Sequence, residues 1–209
     1  MFEENTLATE EEVLSFVNEN GLATLFPVRG LSFPNLYQAI AGKNREEKLQ
    51  KTWLWADNLS ERRKVHYGKF VRKQCTLISL EMLPHFYRIF GKRKLGKTAR
   101  HILKFLERNG ATSTTLLKKN LNLTGKPNRS KFTKAIDELQ RTFSVTIVRR
   151  ERIPRMTYTY DLMERWMPDL IEAALGTSEA TAIERIRAKL LDSRIFMRQG
   201  DAEAFLKNL

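Results

Sequence analysis

Cysteine is almost missing from this chain: Cys75 is the single one in 209 residues. One thiol excludes an internal disulfide framework and a zinc ribbon alike. Cys75 lies in the run Cys75-Thr76-Leu77-Ile78, the setting of a small buried hydrophobe rather than a reactive thiol. No stretch approaches the roughly 18 apolar residues that a membrane span requires. The start, Met1-Phe2-Glu3-Glu4, is acidic where a signal peptide is basic, so a cytoplasmic location with no membrane partner is expected. His66, His85 and His101 stand far apart without ligand spacing, and no metal is expected. There is no Gly-x-Ser-x-Gly, no low-complexity segment and no repeat at a fixed period.

Acid is scarce in the middle of the chain. Residues 61–110 hold 14 Lys+Arg against 3 Asp+Glu, and residues 111–155 hold 11 against 3. Both flanks are slightly acidic, at 5 against 9 over 1–60 and 7 against 9 over 156–209. Charge concentrated in this way repels itself until an anionic partner neutralises it. A polyphosphate is the natural partner, because each contact also releases a condensed counterion. Hydrophobic residues at 42% and aromatic residues at 10% give a folded protein rather than a disordered basic tail.

Local signals order the chain. Thr9 followed by Glu12 reads as a capping box that opens a helix burying Val13, Phe16 and Val17, with Gly21 as its stop. Leu22 to Val28 reads as extended, and a short helix follows from Pro34 to Gly42. Residues 42–50 read as a polar loop, and Trp53 and Trp55 fit either one face of a strand or a buried helical turn. Val65 to Ile78 reads as extended, Leu80 to Phe90 as helical, and the Gly-punctuated stretch 91–96 as a basic linker. Beyond it, Thr98 to Arg108 carries Ala99, Ile102, Leu103 and Leu106 on one stripe. Ser113 to Asn120 forms a second helix with Leu116 and Leu117 inward. Arg129 to Thr142 forms a third, with Phe132, Ile136 and Leu139 buried. The alternating runs 143–148 and 156–160 read as a hairpin, and two helices near 178–191 and 201–208 close the chain.

Three helices and a hairpin are the order of a winged helix-turn-helix, in which the third helix enters the major groove and the hairpin tip reaches the adjacent backbone. The expected fold class is α+β, predominantly helical. Expected domains are 1–95, helical and extended; 96–165, the winged helix; and 166–209, the C-terminal helices. The candidate DNA-binding residues are Lys126, Asn128, Arg129, Ser130, Lys131, Lys134 and Arg141 on and before the third helix. Arg149, Arg150, Arg152 and Arg155 join them in the hairpin. Basic residues of 62–73 and 88–104 are expected to assist. Lys and Arg mostly grip phosphates, so base specificity is not readable, and Asn128 serves equally as a helix cap.

Gly91 to Thr98 matches the letters of a phosphate-binding loop, G-x-x-x-x-G-K-[ST]. A working loop needs a buried strand before it and small residues within it. Here a helix precedes, and the inner residues are Lys92, Arg93, Lys94 and Leu95, so no nucleotide cofactor is expected, nor any other. Carboxylates in the basic middle are few; Asp57, Glu61 and Glu81 are each candidates for catalysis, and nothing in their spacing marks them.

Several runs carry a family likeness: Phe16-Val17-Asn18-Glu19-Asn20-Gly21, Leu25-Phe26-Pro27-Val28, Thr52-Trp53-Leu54-Trp55, Tyr67-Gly68-Lys69 and Ile78-Ser79-Leu80-Glu81-Met82-Leu83-Pro84. Together with Phe132 to Asp161 and Arg165-Trp166-Met167-Pro168, they resemble the short relatives of the AlkZ-type DNA glycosylases. The resemblance implies tandem winged-helix-like units with DNA held in the cleft between them. The larger enzymes of that family carry Gln-x-Gln or Gln-x-Asp just after the first helix, where this chain has Phe26-Pro27-Val28. Phenylalanine and valine cannot orient a water or stabilise a sugar cation, so DNA binding without catalysis is the leading expectation. The alternatives are a repair glycosylase acting on alkylated or crosslinked bases, and an interaction module docking on an acidic partner or ribosomal RNA. No heptad pattern points to a dimer, and the oligomeric state is left open.

Overall fold

The computed structural model describes residues 7–29, 33–91, 94–151 and 157–192. Helix α1, Glu10–Asn20, opens with the expected capping box: the Glu12 N–H donates to Thr9 Oγ1 at 3.2 Å, and the Thr9 N–H donates to Glu12 Oε2 at 3.1 Å. It ends at Gly21, whose φ of 75° suits a residue without Cβ. Strand β1, Leu22–Thr24, is followed by a one-turn helix α2, Leu36–Ala39. Helix α3 then spans Arg45–Glu61, strand β2 Val65–Lys69 and strand β3 Cys75–Ser79. The three strands form an antiparallel sheet in the order β1-β3-β2.

After helix α4, Leu83–Phe90, the same succession returns. Helix α5 covers Lys97–Asn109, β4 Thr112–Ser113, α6 Thr114–Asn120 and α7 Lys126–Arg141. Strands β5, Val145–Glu151, and β6, Thr157–Leu162, complete a sheet in the order β4-β6-β5. Helices α8, Met163–Trp166, α9, Pro168–Leu175, and α10, Glu179–Asp192, follow, and α9 and α10 pack on α4. The fold is therefore α+β, mostly helical and winged-helix-like.

Two expectations need correction. Residues 45–50, expected as a polar loop, are the first turns of the long helix α3, and Trp53 and Trp55 lie on it, the helical one of their two readings. Its start was marked: Asn44 accepts the Glu47 N–H at 2.9 Å, and Glu47 Oε2 takes the Lys43 N–H at 2.8 Å. The polar first half hid the stripe that Thr52, Ala56 and Leu59 bury in the second half. A repeat also exists, in topology rather than in sequence. Arg63 (φ 56°) and Phe143 (φ 49°) occupy the same left-handed turn between third helix and second strand, 80 residues apart. In both turns the following N–H, of Lys64 or Ser144, returns to the carbonyl of Leu59 or Leu139.

The two repeats meet through equivalent strands. His66 on β2 and Thr146 on β5, themselves equivalent, share a hydrogen bond at 3.3 Å between Nδ1 and Oγ1. On one side of this pair the Lys69 N–H donates to Gln140 Oε1 at 3.1 Å, and the Phe70 and Phe143 rings stack at 4.7 Å, 5° from parallel. On the other side Arg150 reaches into the first repeat. Such reciprocal packing is the geometry of a symmetric dimer written into one chain. One buried cluster runs from Val13 and Leu59 through Val65 and Val145 to Leu139 and Ile102, so the cores are continuous.

His66 sits at the centre of this contact, with the rings of Phe70 and Phe143 at 5.3 and 5.5 Å. Burial disfavours its imidazolium and pushes its pKa down to about 3 from an ordinary 6.5. Unfolding therefore takes up a proton between pH 6.5 and 3, so stability is full above pH 6.5 and falls as the pH drops through that window. Urea unfolding between pH 7.5 and 4.5 is expected to show this slope, and His66→Gln is expected to be less stable at neutral pH but flatter below 6.5. An unchanged slope in the variant removes His66 as its source.

Candidate nucleic-acid interface

Helix α7 starts after Gly125 (φ 83°) and carries Pro127 in its first turn, where a missing N–H costs nothing. Phe132, Ala135, Ile136, Leu139 and Gln140 face inward. Lys126, Arg129, Ser130, Lys131, Thr133 and Lys134 are exposed along its first half. The free amides of the first turn add the positive end of the helix dipole. Lys118 on α6 lies over the Phe132 ring at 4.8 Å, bringing another cation beside the helix start.

Other predicted residues sit elsewhere. Asn128 is not the helix cap, a place Gly125 takes; its Nδ2 donates to the carbonyls of Asn122 at 3.3 Å and Thr124 at 3.1 Å, pinning the preceding turn. Arg141 is exposed at the far end of α7, about 22 Å along the axis from Lys126 at 1.5 Å per residue. It borders a small cleft made by Phe70, Phe86, Phe90 and Phe143. Arg149 is exposed and pairs at 3.3 Å with the equally exposed Glu151. Arg152 and Arg155 lie outside the described residues.

Arg150 turns inward. Neighbours on a strand face opposite sides, and the register shift between Ile147 and Arg149 resets which of these two arginines faces inward. The Arg150 side chain is 4% exposed, ion-paired with Asp57, and its guanidinium carbon lies 3.5 Å from the Tyr67 ring centroid. The Arg150 backbone N–H also donates to Glu61 Oε1 at 3.3 Å. Two carboxylates one helical turn apart on α3, both considered for catalysis, are thus engaged by one arginine of the other repeat. Burial raises the pKa of the Tyr67 phenol and keeps it neutral beneath that cation.

The letters of the phosphate-binding loop meet a different chemistry. The Gly96 N–H at the start of α5 donates to Glu138 Oε1 at 2.8 Å, so a carboxylate stands at that helix end. What precedes it is α4, not a strand. Leu116, expected to point inward, is 51% exposed. Among the described residues no helix is long and apolar enough to cross a membrane, and no His, Cys, Asp or Glu group of three or more is gathered for a metal.

The family described as AlkZ related matches residues 7–203 of this sequence. The chain belongs to the AlkZ-related family. Comparison with curated proteins and with solved structures finds no match. Membership relates the chain to DNA-repair glycosylases and implies interaction with DNA. At the place of the glutamine motif, Phe26 is half-buried in a ring cluster, 5.8 Å from Tyr37 and 5.3 Å from Trp53, and Val28 is buried. The chain does hold one Gln-x-Asp triplet, Gln199-Gly200-Asp201, far along the sequence from that place and outside the described residues.

Arg149 and Arg150 are adjacent in sequence and opposite in role, which a mutant pair can separate. Arg150→Ala leaves Asp57 without its partner in a largely dry contact and is expected to lose about 3–5 kcal/mol of stability. Arg149→Ala is expected to stay within about 0.5 kcal/mol of the native chain. Equal losses in urea titration contradict the assignment.

Proposed function

We propose that this AlkZ-related chain is a non-catalytic, cytoplasmic protein that grips duplex DNA with the first half of α7. Residues 96–165 are the DNA-binding unit, residues 1–95 a related unit that braces it, and residues 166–209 a C-terminal helical part. The observation that carries the reading is the cluster of Lys126, Arg129, Ser130, Lys131 and Lys134, exposed together on the third helix of a winged-helix-like unit. Four cations and a hydroxyl in that position suit phosphate oxygens, which fix register without reading sequence. Arg149 at the hairpin, with Arg152 and Arg155 beyond it in sequence, extends the same grip, whereas Arg150 is excluded from it by its contact with Asp57.

Binding of this kind weakens steeply with salt. Lys126→Ala, Arg129→Ala, Lys134→Ala combined removes three contacts, and the slope of log affinity against log salt is expected to fall in magnitude by about 2.7, at about 0.9 per phosphate. A salt-series titration with a fluorescent duplex measures it. Native affinity and slope in this variant overturn the reading.

Family membership favours a second reading, a glycosylase releasing alkylated or crosslinked bases. Against it stand Phe26 and Val28 at the motif position and the engagement of Asp57 and Glu61 by Arg150. Incubation with alkylated duplex followed by alkali is expected to yield no strand breaks above the protein-free control, and enzyme-dependent breaks make the second reading the correct one.

A further inference from the structure

We propose that the outer face of α5 is a second site for a nucleic-acid phosphate backbone, separate from α7. The proposal rests on the DNA-binding reading above and extends it to a surface of different position. Along α5 the residues Lys97, Arg100, His101, Lys104 and Arg108 recur at the spacing of one helical face, and all five are exposed. At 100° per residue they lie opposite Ala99, Ile102 and Leu106, the buried stripe through which α5 joins the core beside α7. The stripe runs about 16 Å along the helix axis.

The chain before α5 folds along this face. Lys94 and Leu95 join Arg100, Leu103, Lys104 and Glu107 around an open groove of about 390 Å³. Half-buried Leu95 and Leu103 form its floor, three cations stand around it, and Glu107 is the single acid in the lining. Among the described residues no ion pair engages Lys94, Lys97, Arg100, Lys104 or Arg108. Cations one turn apart on a helix repel, and cations in the first turn oppose the helix dipole. The one carboxylate at that helix end, Glu138, bonds the Gly96 N–H instead. The face therefore carries an unfavourable arrangement that a polyanion relieves. Its side chains are lysines and arginines with the one imidazole of His101, and no amide side chain for reading bases stands among them, so a phosphate backbone of any sequence is the ligand it fits.

A stoichiometry measurement tests this with duplexes of about one helical turn, 10–12 base pairs. Sedimentation of the full chain at low salt is expected to show two duplexes per protein. Arg100→Gln, Lys104→Gln, Arg108→Gln combined is expected to bind one, and the α7 triple variant also one, with unchanged circular dichroism in both. A native chain that binds one duplex overturns the proposal, whether one variant or both weaken that complex. An α5 variant that still binds two overturns it as well and leaves the groove to an acidic protein partner. If the α5 variant drops to one while the α7 variant keeps two, the second site stands and the α7 reading fails.

Discussion

The guanidinium of Arg150, lying over the Tyr67 ring and paired with Asp57, closes one half of an interface whose other half is the Phe70–Phe143 stack. Each half brings a residue from the turn end of one hairpin, Arg150 or Phe70, against the other repeat: Arg150 meets α3 and β2, and Phe70 meets the turn between third helix and second strand. The hairpins are thereby fixed near their turn ends to the opposite unit, and neither unit can turn without breaking both contacts. An arginine near the turn of a hairpin would ordinarily count as one more hand for phosphate. Here it holds the frame that positions the exposed cations.

The two repeats share topology and differ in what they show. At the shift of 80 residues, Lys126, Ser130, Thr133 and Lys134 of α7 stand where α3 has Glu46, Gln50, Trp53 and Leu54. One third helix is cationic, whereas the other is aromatic, with Leu54 half exposed and Lys51 both over the Trp55 ring and paired to Glu47. The inward residues follow the fold instead: Leu59 and Leu139, Val65 and Val145 are identical and buried. The core preserves the architecture while each surface takes its own chemistry, which is why fold alone does not set function.

The second repeat could be read from the sequence because its helices are amphipathic and its hairpin alternates. The periodic positions Phe132, Ile136 and Leu139 are those that the structure buries. The first repeat resisted. Ala56 and Thr52 stand where α7 has Ile136 and Phe132, so the stripe of α3 lacked the large apolar residues that announce a helix, and the cap at Asn44 was the remaining signal. Side-chain fate was harder still. Nothing local distinguishes Arg149 from Arg150; a bulge and a carboxylate distant in sequence decide it. The turn-pinning bonds of Asn128 were equally unreadable, because turn-pinning amides and base-reading amides use the same chemistry.

The placement of acid completes the electrostatic logic. Carboxylates near the basic region are drawn into structural roles: Asp57 and Glu61 to Arg150, Glu138 to the start of α5, Glu10 to Arg62 and Asn58. Each bond engages a carboxylate that could otherwise have paired with a neighbouring lysine or arginine. Screening by salt reaches only about 8–10 Å at physiological strength, so cations one helical turn apart still feel one another. A chain with a net charge of +13 that also commits several acids to bonds within the fold keeps its basic faces repulsive until something anionic arrives. The same bonds that make the pair of units rigid thus leave α5 and the first half of α7 charged and unscreened.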